Sequence, residues 1–196
     1  MKEILLVGES WVSNATHYKG WDQFSSTTFH LGAEQLVNSI DSTVFKIEYM
    51  TSHDAAANFP SKISYLQKYS AIIFSDIGSN TILLHPKVWI EGETYPNRLK
   101  LIKEYVQSGG SFLMVGGYLS FQGINGSAKY KSTPIDEILP VDIFPYDDRI
   151  EVPEGFNVTI EKENHEIIEG LCGKWPPLLG FNQVLAAKGG QTIIST

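Results

Sequence analysis

Cysteine is nearly missing from this chain: Cys172 is the only one in 196 residues. One thiol excludes a disulfide framework and a zinc centre built on cysteines. Basic residues are also scarce. Fifteen Lys and Arg face 22 Asp and Glu, for a formal net charge of -7 and a pI of about 5.2. A nucleic-acid partner needs a basic face, and the densest basic cluster, KYK at Lys129–Lys131, is too short to make one. Nucleic acid is therefore not an expected partner. No apolar run approaches the length of a membrane span, so a membrane is not expected either. The N-terminal run Ile4–Val7 is too short for a secretory signal. The chain reads as cytoplasmic.

Metal and cofactor signatures are missing as well. The histidines at 17, 30, 53, 85 and 165 are scattered without metal-ligand spacing. No segment matches GxxxxGK[ST] or GxGxxG, so neither a phosphate loop nor a dinucleotide site is expected. The predicted complement is no metal and no cofactor.

What is present is α/β patterning. A hydrophobic share of 42% and a charged share of 19% suit one globular domain over residues 1–196. KEILLVG (Lys2–Gly8) and AIIFSDI (Ala71–Ile77) are continuous apolar runs, typical of strands buried on both faces of a parallel sheet. VFKIEYM (Val44–Met50) and SFLMV (Ser111–Val115) read as two more strands. Between them, Ala33, Leu36, Val37 and Ile40 keep helical spacing. A short helix is expected over SKISYLQKY after Pro60, and HDAAANFP is read as leading into that helix start. NRLKLIKEYVQSGG predicts a helix capped by Asn97 and stopped by Gly109 and Gly110, with Leu99, Ile102 and Val106 as its apolar stripe. ESWVSNATHYKGWDQF is read as a polar loop, and residues 78–96 as a long irregular segment. The expected fold is a flavodoxin-like, doubly wound, mostly parallel sheet with helices on both faces. It occupies residues 1–130. Residues 131–196 read as a Pro-rich extension with short antiparallel strands and a late strand, incomplete at the C-terminus.

In such a sheet ligands bind beyond the carboxyl ends of the strands. The loops there carry Glu9, Ser10, Trp11, His17, Lys19 and Asp22 after the first strand, Thr51–Asp54 after the second, Asp76, Ser79 and Asn80 after the third, and Tyr118, Ser120 and Gln122 after the fourth. Taken singly, each could be a solvated side chain or a turn-former. Their convergence on one edge is what argues for a site. The most suggestive stretch is GGYLSFQG, which follows an apolar strand as nucleophile elbows do, yet is not GxSxG and holds no cysteine. Cys172, in GLCGKWPP, reads as a small apolar residue in a turn.

GESW, THYKGWDQF, SDIGSNTILL, PNRLKLIKEYVQSGGSFLMVGGYLSFQG and WPPLLGFN together resemble a family of bacterial cytoplasmic proteins described as putative glutamine amidotransferases, in the class I glutamine amidotransferase-like superfamily. The resemblance spans nearly the whole chain. It implies a flavodoxin-like core. It also implies an elbow GxCxG whose thiolate attacks the glutamine amide, with backbone N–H groups holding the oxyanion and a histidine and an acid near the C-terminus completing the triad. Here the elbow would be GGYLSFQG, with Gly117 or Tyr118 in the cysteine's place. The chain also stops before the expected histidine and acid, and relatives run on past QTIIST.

Three readings follow. One is a small-molecule binding or Cys-independent hydrolytic domain. Ser10, His17, Lys19, Asp22, Asn80, Gly117, Tyr118 and Gln122 would meet the ligand, and Ser120, His17 and Asp76 are the catalytic candidates. The second is a non-catalytic homo-oligomerising module with Trp11, Trp21, Tyr118 and Phe121 as contact aromatics. The third is a true glutamine amidotransferase, which requires Cys172 beside the elbow.

Overall fold

A computed structural model describes residues 1–40, 42–171, 175–187 and 189–196. Cys172, and with it the requirement for a thiol at the elbow, lies outside the described residues. The elements in chain order are β1 (Lys2–Gly8), β2 (Ser10–Lys19), β3 (Asp22–Leu31), α1 (Glu34–Ser39), β4 (Phe45–Met50), α2 (Ser52–Asn58), α3 (Ile63–Leu66), β5 (Ala71–Ser75), α4 (Ser79–Leu83), α5 (Pro86–Trp89), α6 (Arg98–Gln107) and β6 (Ser111–Val115). The extension then adds β7 (Val141–Ile143), β8 (Arg149–Phe156), β9 (Thr159–Ile160), β10 (Leu178–Asn182), β11 (Val184–Ala186) and β12 (Ile194–Ser195).

The four strands expected from the apolar runs form one parallel sheet in the order β4-β1-β5-β6. Successive strand residues point to opposite faces. Leu5, Leu6 and Val7 are all fully buried, so β1 is covered on both sides, as its unbroken apolar run requires. Phe59, Phe74, Leu99, Ile102 and Tyr130 extend the same core. The extension forms small antiparallel pairs, β10 with β8, β11 with β7 and β12 with β9. No helix among the described residues is long and apolar enough to cross a membrane.

Asn97 caps α6 as expected, its side-chain oxygen accepting from the N–H groups of Leu99 and Lys100 at 3.1 Å each. Other expectations need correction. ESWVSNATHYKGWDQF is not a loop but most of an antiparallel hairpin, β2 with β3, whose register runs unbroken from Ser10↔Leu31 to Lys19↔Asp22. Its strands are exposed over nearly their whole length, so no apolar alternation marks them in the sequence. HDAAANFP does not lead into the helix at Pro60; most of it lies in α2, capped by Thr51, whose hydroxyl accepts from Asp54 N–H at 3.2 Å. The segment 78–96 holds α4 and α5. The apolar spacing around α1 leaves no residue of Glu34–Ser39 buried.

The first residue of α6, Arg98, is fully buried, and among the described residues no carboxylate meets it. Its guanidinium instead donates to backbone carbonyls of Ile82 (2.5 Å), Ala56 (2.9 Å), Ala55 (3.1 Å), Thr81 (3.2 Å) and Phe59 (3.5 Å). These lie in the last turns of α2 and α4 and just past them, where helix carbonyls lack internal partners and the backbone dipoles favour a cation. Burial pulls its pKa down to about 10, which still leaves it charged at neutral pH. Arg98→Met should strand several buried carbonyls and cost ~3 kcal/mol or more. Arg98→Lys, a point charge without the planar fork, should lose less. Urea unfolding of the three proteins ranks them; equal midpoints would refute the role.

Candidate functional site

The sheet order places the topological switch between β1 and β5, the strands flanked on opposite sides by β4 and β6. The register pairs Gly8 with Ser75, so the next residues, Glu9 and Asp76, lie side by side just beyond the strand ends. Both are non-glycine residues with positive φ, 45° for Glu9 and 48° for Asp76. Such backbone costs on the order of 1–3 kcal/mol and persists where the surroundings enforce it. The enforcement is visible. Ser75 Oγ donates to Glu9 Oε2 at 2.5 Å, and the Glu9 carbonyl accepts from Tyr49 Oη at 2.9 Å and from Gly32 N–H at 2.8 Å. Asp76 Oδ1 accepts the Leu119 N–H at 2.6 Å, tying the β5 turn to the β6 turn.

Gly116 and Gly117 follow β6, and neither has a positive φ. Their role is close approach rather than a sharp elbow. A Cβ on Gly117 would stand 2.9 Å from Asp76 Oδ1, and one on Gly116 3.0 Å from Asn182 Oδ1. Asn182, at the end of β10, reads the Gly117 backbone on both sides. Its Oδ1 accepts from Gly117 N–H at 2.9 Å and its Nδ2 donates to Gly117 O at 3.2 Å. The same Nδ2 donates to Asp148 at 2.9 Å, and the buried Asp148 carboxylate also accepts from the N–H groups of Gln122 (2.8 Å) and Gly123 (2.9 Å).

Over this turn lies a cavity of about 610 Å³, walled by the Gly116–Tyr118 backbone, by Phe121, and by β8 and β10. That volume falls within the range of small-molecule sites. Arg149 is its fixed cation. It donates to both oxygens of Asp147 at 3.1 Å and to Glu151 at 3.2 Å, and it sits 5.1 Å from the centre of the Tyr118 ring.

The residues singled out from the sequence divide into groups. Gly117 and Tyr118 line the cavity, and Asp76 supports its floor through Leu119. Gln122 borders the turn, where its side-chain oxygen accepts from Lys131 N–H at 3.4 Å. Ser10 is buried and accepts the Ser52 N–H at 2.8 Å, joining the β1 and β4 loops. Asn80 is exposed on α4. His17, Lys19 and Asp22 lie at the far end of the hairpin. His17 hydrogen-bonds Ser26 at 2.9 Å and stacks on Phe24 at 4.6 Å. At ~3.3 Å per strand residue, His17 is ~23 Å along β2 from Ser10. Ser120 is 1% exposed within the β6 turn, so the structure does not bring Ser120 and His17 together. Arg149 and Asn182 were missed as site residues, although Asn182 sits in the distinctive stretch WPPLLGFN.

The profile of the family described as "putative glutamine amidotransferase" matches residues 3–196. The chain belongs to that family. Two solved structures from Salmonella typhimurium are similar to it: the cytoplasmic protein STM3548, 40% identical with a TM-score of 0.94, and the cytoplasmic protein STM1381 of strain LT2, 40% identical with a TM-score of 0.91. In both cases the match covers 98% of this chain and 78% of the other. No functionally curated protein shows significant similarity to the chain.

Two predictions follow from this geometry. Asn182→Ala should release both backbone groups of Gly117 and lower stability by ~1–3 kcal/mol, read by thermal or urea unfolding; an unchanged midpoint would refute that clamp. The second concerns pH. The Arg149 guanidinium, helped by the Asn125 N–H, holds the Asp147 carboxyl down to about 2, below its unfolded value of ~4. The folded-state pKa is depressed, so the stabilisation is complete above pH ~4 and drains away as pH falls towards 2. Asp147→Asn should flatten that acid limb in unfolding curves measured between pH 5 and 2.

Proposed function

We propose that this chain is a small-molecule binding member of its family, resident in the cytoplasm, that works without a thiol at the β6 turn. The cavity over Gly116–Tyr118 is the observation that carries this reading. It combines an apolar wall with a few fixed polar groups, the usual composition of a ligand site. Its charges favour a particular ligand class. Arg149 stands between Asp147 and Glu151, so the trio carries a net single negative charge. Among the described residues, three of the five N–H donors of Arg149 are engaged by those carboxylates. An uncharged ligand with an amide or carbonyl acceptor, or a cationic one, suits that surface better than an anion.

The placement of Ser120 inside the turn and of His17 out on the hairpin supports binding over Ser-His hydrolysis. Likewise, no cysteine follows β1, β4, β5 or β6 directly, which supports loss of the thiol route. The test has two arms. Thermal-shift screening of amides, amines and carboxylates should find stabilising compounds among the first two groups; Arg149→Met should abolish the shift by amides, which lose a donor, and not that by amines. Incubation with glutamine should release no ammonia that depends on Cys172. Ammonia release lost in Cys172→Ala would instead establish the true amidotransferase reading.

A further inference from the structure

The hairpin β2–β3 has no role in the cavity and no cover of its own. Among the described residues its two strands pair only with each other, so both outer edges present open backbone donors and acceptors. Isolated two-stranded ribbons are marginal in water, and natural proteins blunt such edges with proline, bulges or inward charges. None of these devices is used here. Residues 10–31 contain no proline, the register has no bulge, and the only Lys, Arg, Asp or Glu residues are Lys19 and Asp22 at the tip. Near the base, Phe29 meets His53 of α2 edge-on at 5.5 Å, which fixes where the arm leaves the body. Beyond that, two rings are bare: Trp21 is 103% exposed and Tyr18 73%.

We propose that this hairpin is a dimerisation arm whose partner is a second copy of the chain. Three observations select that occupant. The arm's two formal charges cancel, whereas the chain as a whole carries -7, so two copies can meet through their arms without the repulsion that opposes contact elsewhere. An unbroken edge strand is complementary to itself when a two-fold axis lays it antiparallel to its own copy. The exposed rings serve either face of the arm, Trp11 and Phe24 on one, Tyr18 and Phe29 on the other and Trp21 at the turn, so a copy laid against either face meets aromatic anchors.

Sedimentation equilibrium on the purified chain between 1 and 100 µM tests this. The expected result is twice the 21.8 kDa chain mass, with dissociation on dilution. The triple variant Tyr18→Ser/Trp21→Ser/Phe24→Ser should raise the dimer Kd by about tenfold or more. Ser25→Lys/Thr27→Lys, which keeps the aromatics and charges the β3 edge, should act in the same direction. Trp89→Ser, an exposed aromatic on α5, should leave the Kd unchanged. Amide hydrogen exchange should slow with concentration within residues 10–31. A monomer throughout the range, as expected if the arm serves a different protein, would overturn the proposal. So would a dimer whose Kd ignores both hairpin variants, or whose concentration-dependent protection lies elsewhere.

Discussion

Arg98 is the constraint through which the helices around the sheet are fixed. A buried guanidinium without a carboxylate is costly, and here its hydrogen bonds among the described residues go to carbonyl oxygens drawn from two helix ends, with the Tyr95 ring 5.9 Å away. α2 leaves the sheet after β4 and α4 leaves it after β5, so both helices begin at the edge where the site lies. Their far ends converge on one cation. Changing the angle of either helix would strip hydrogen bonds from a charge that cannot be neutralised at physiological pH. The start of each helix is thereby held too, and with it the turns that carry Thr51 and Asp76. A substitution remote from the cavity is thus expected to be felt at its floor.

On the other side of the cavity the extension does the corresponding job with an amide and a carboxylate. Asn182 offers its amide to Gly117 as a neighbouring strand would offer a peptide group, meeting one N–H and one C=O. Asp148 then collects the N–H groups that follow in the same turn. The β6 turn is therefore gripped from the core by Asp76 and from the extension by Asn182. Both grips require a residue without a Cβ at the crossing point, which explains a glycine pair whose dihedral angles are open to any residue.

The parts legible in the sequence are those whose signal is local. β1 and β5 announce themselves by unbroken apolar runs, and α6 by Asn97 and its buried stripe. The carboxyl edge of the sheet was singled out from the parallel-strand pattern, and the cavity over Gly116–Tyr118 lies at that edge. The hairpin was hidden because strands exposed on both faces carry no hydrophobic alternation. Its remaining signals, the β-branched run Thr27–Thr28 and the Gly20 turn, are weak beside the polarity of the stretch. Arg149 and Asn182 were hidden for a different reason. Each acquires its role only when the extension folds back on β6, and Asn182 lies 65 residues from Gly117. Local patterning holds no record of that meeting.

Glu9 and Asp76 add a last step. At positive φ glycine would be the easiest residue, and aspartate is more tolerant than glutamate because its short side chain can bond locally. A glutamate at φ 45° is therefore the costlier of the two. Its carboxylate and carbonyl each have a designated donor, Ser75 and Tyr49, so the strain is held in place from two strands. Stability alone would favour glycine at position 9. Keeping a carboxylate there, at the switch point and beside a second strained carboxylate, places negative charge at the strand ends on the edge where the net-negative trio of Asp147, Arg149 and Glu151 also stands. The two features agree in sign, which is consistent with the proposed preference for an uncharged or cationic ligand over an anion.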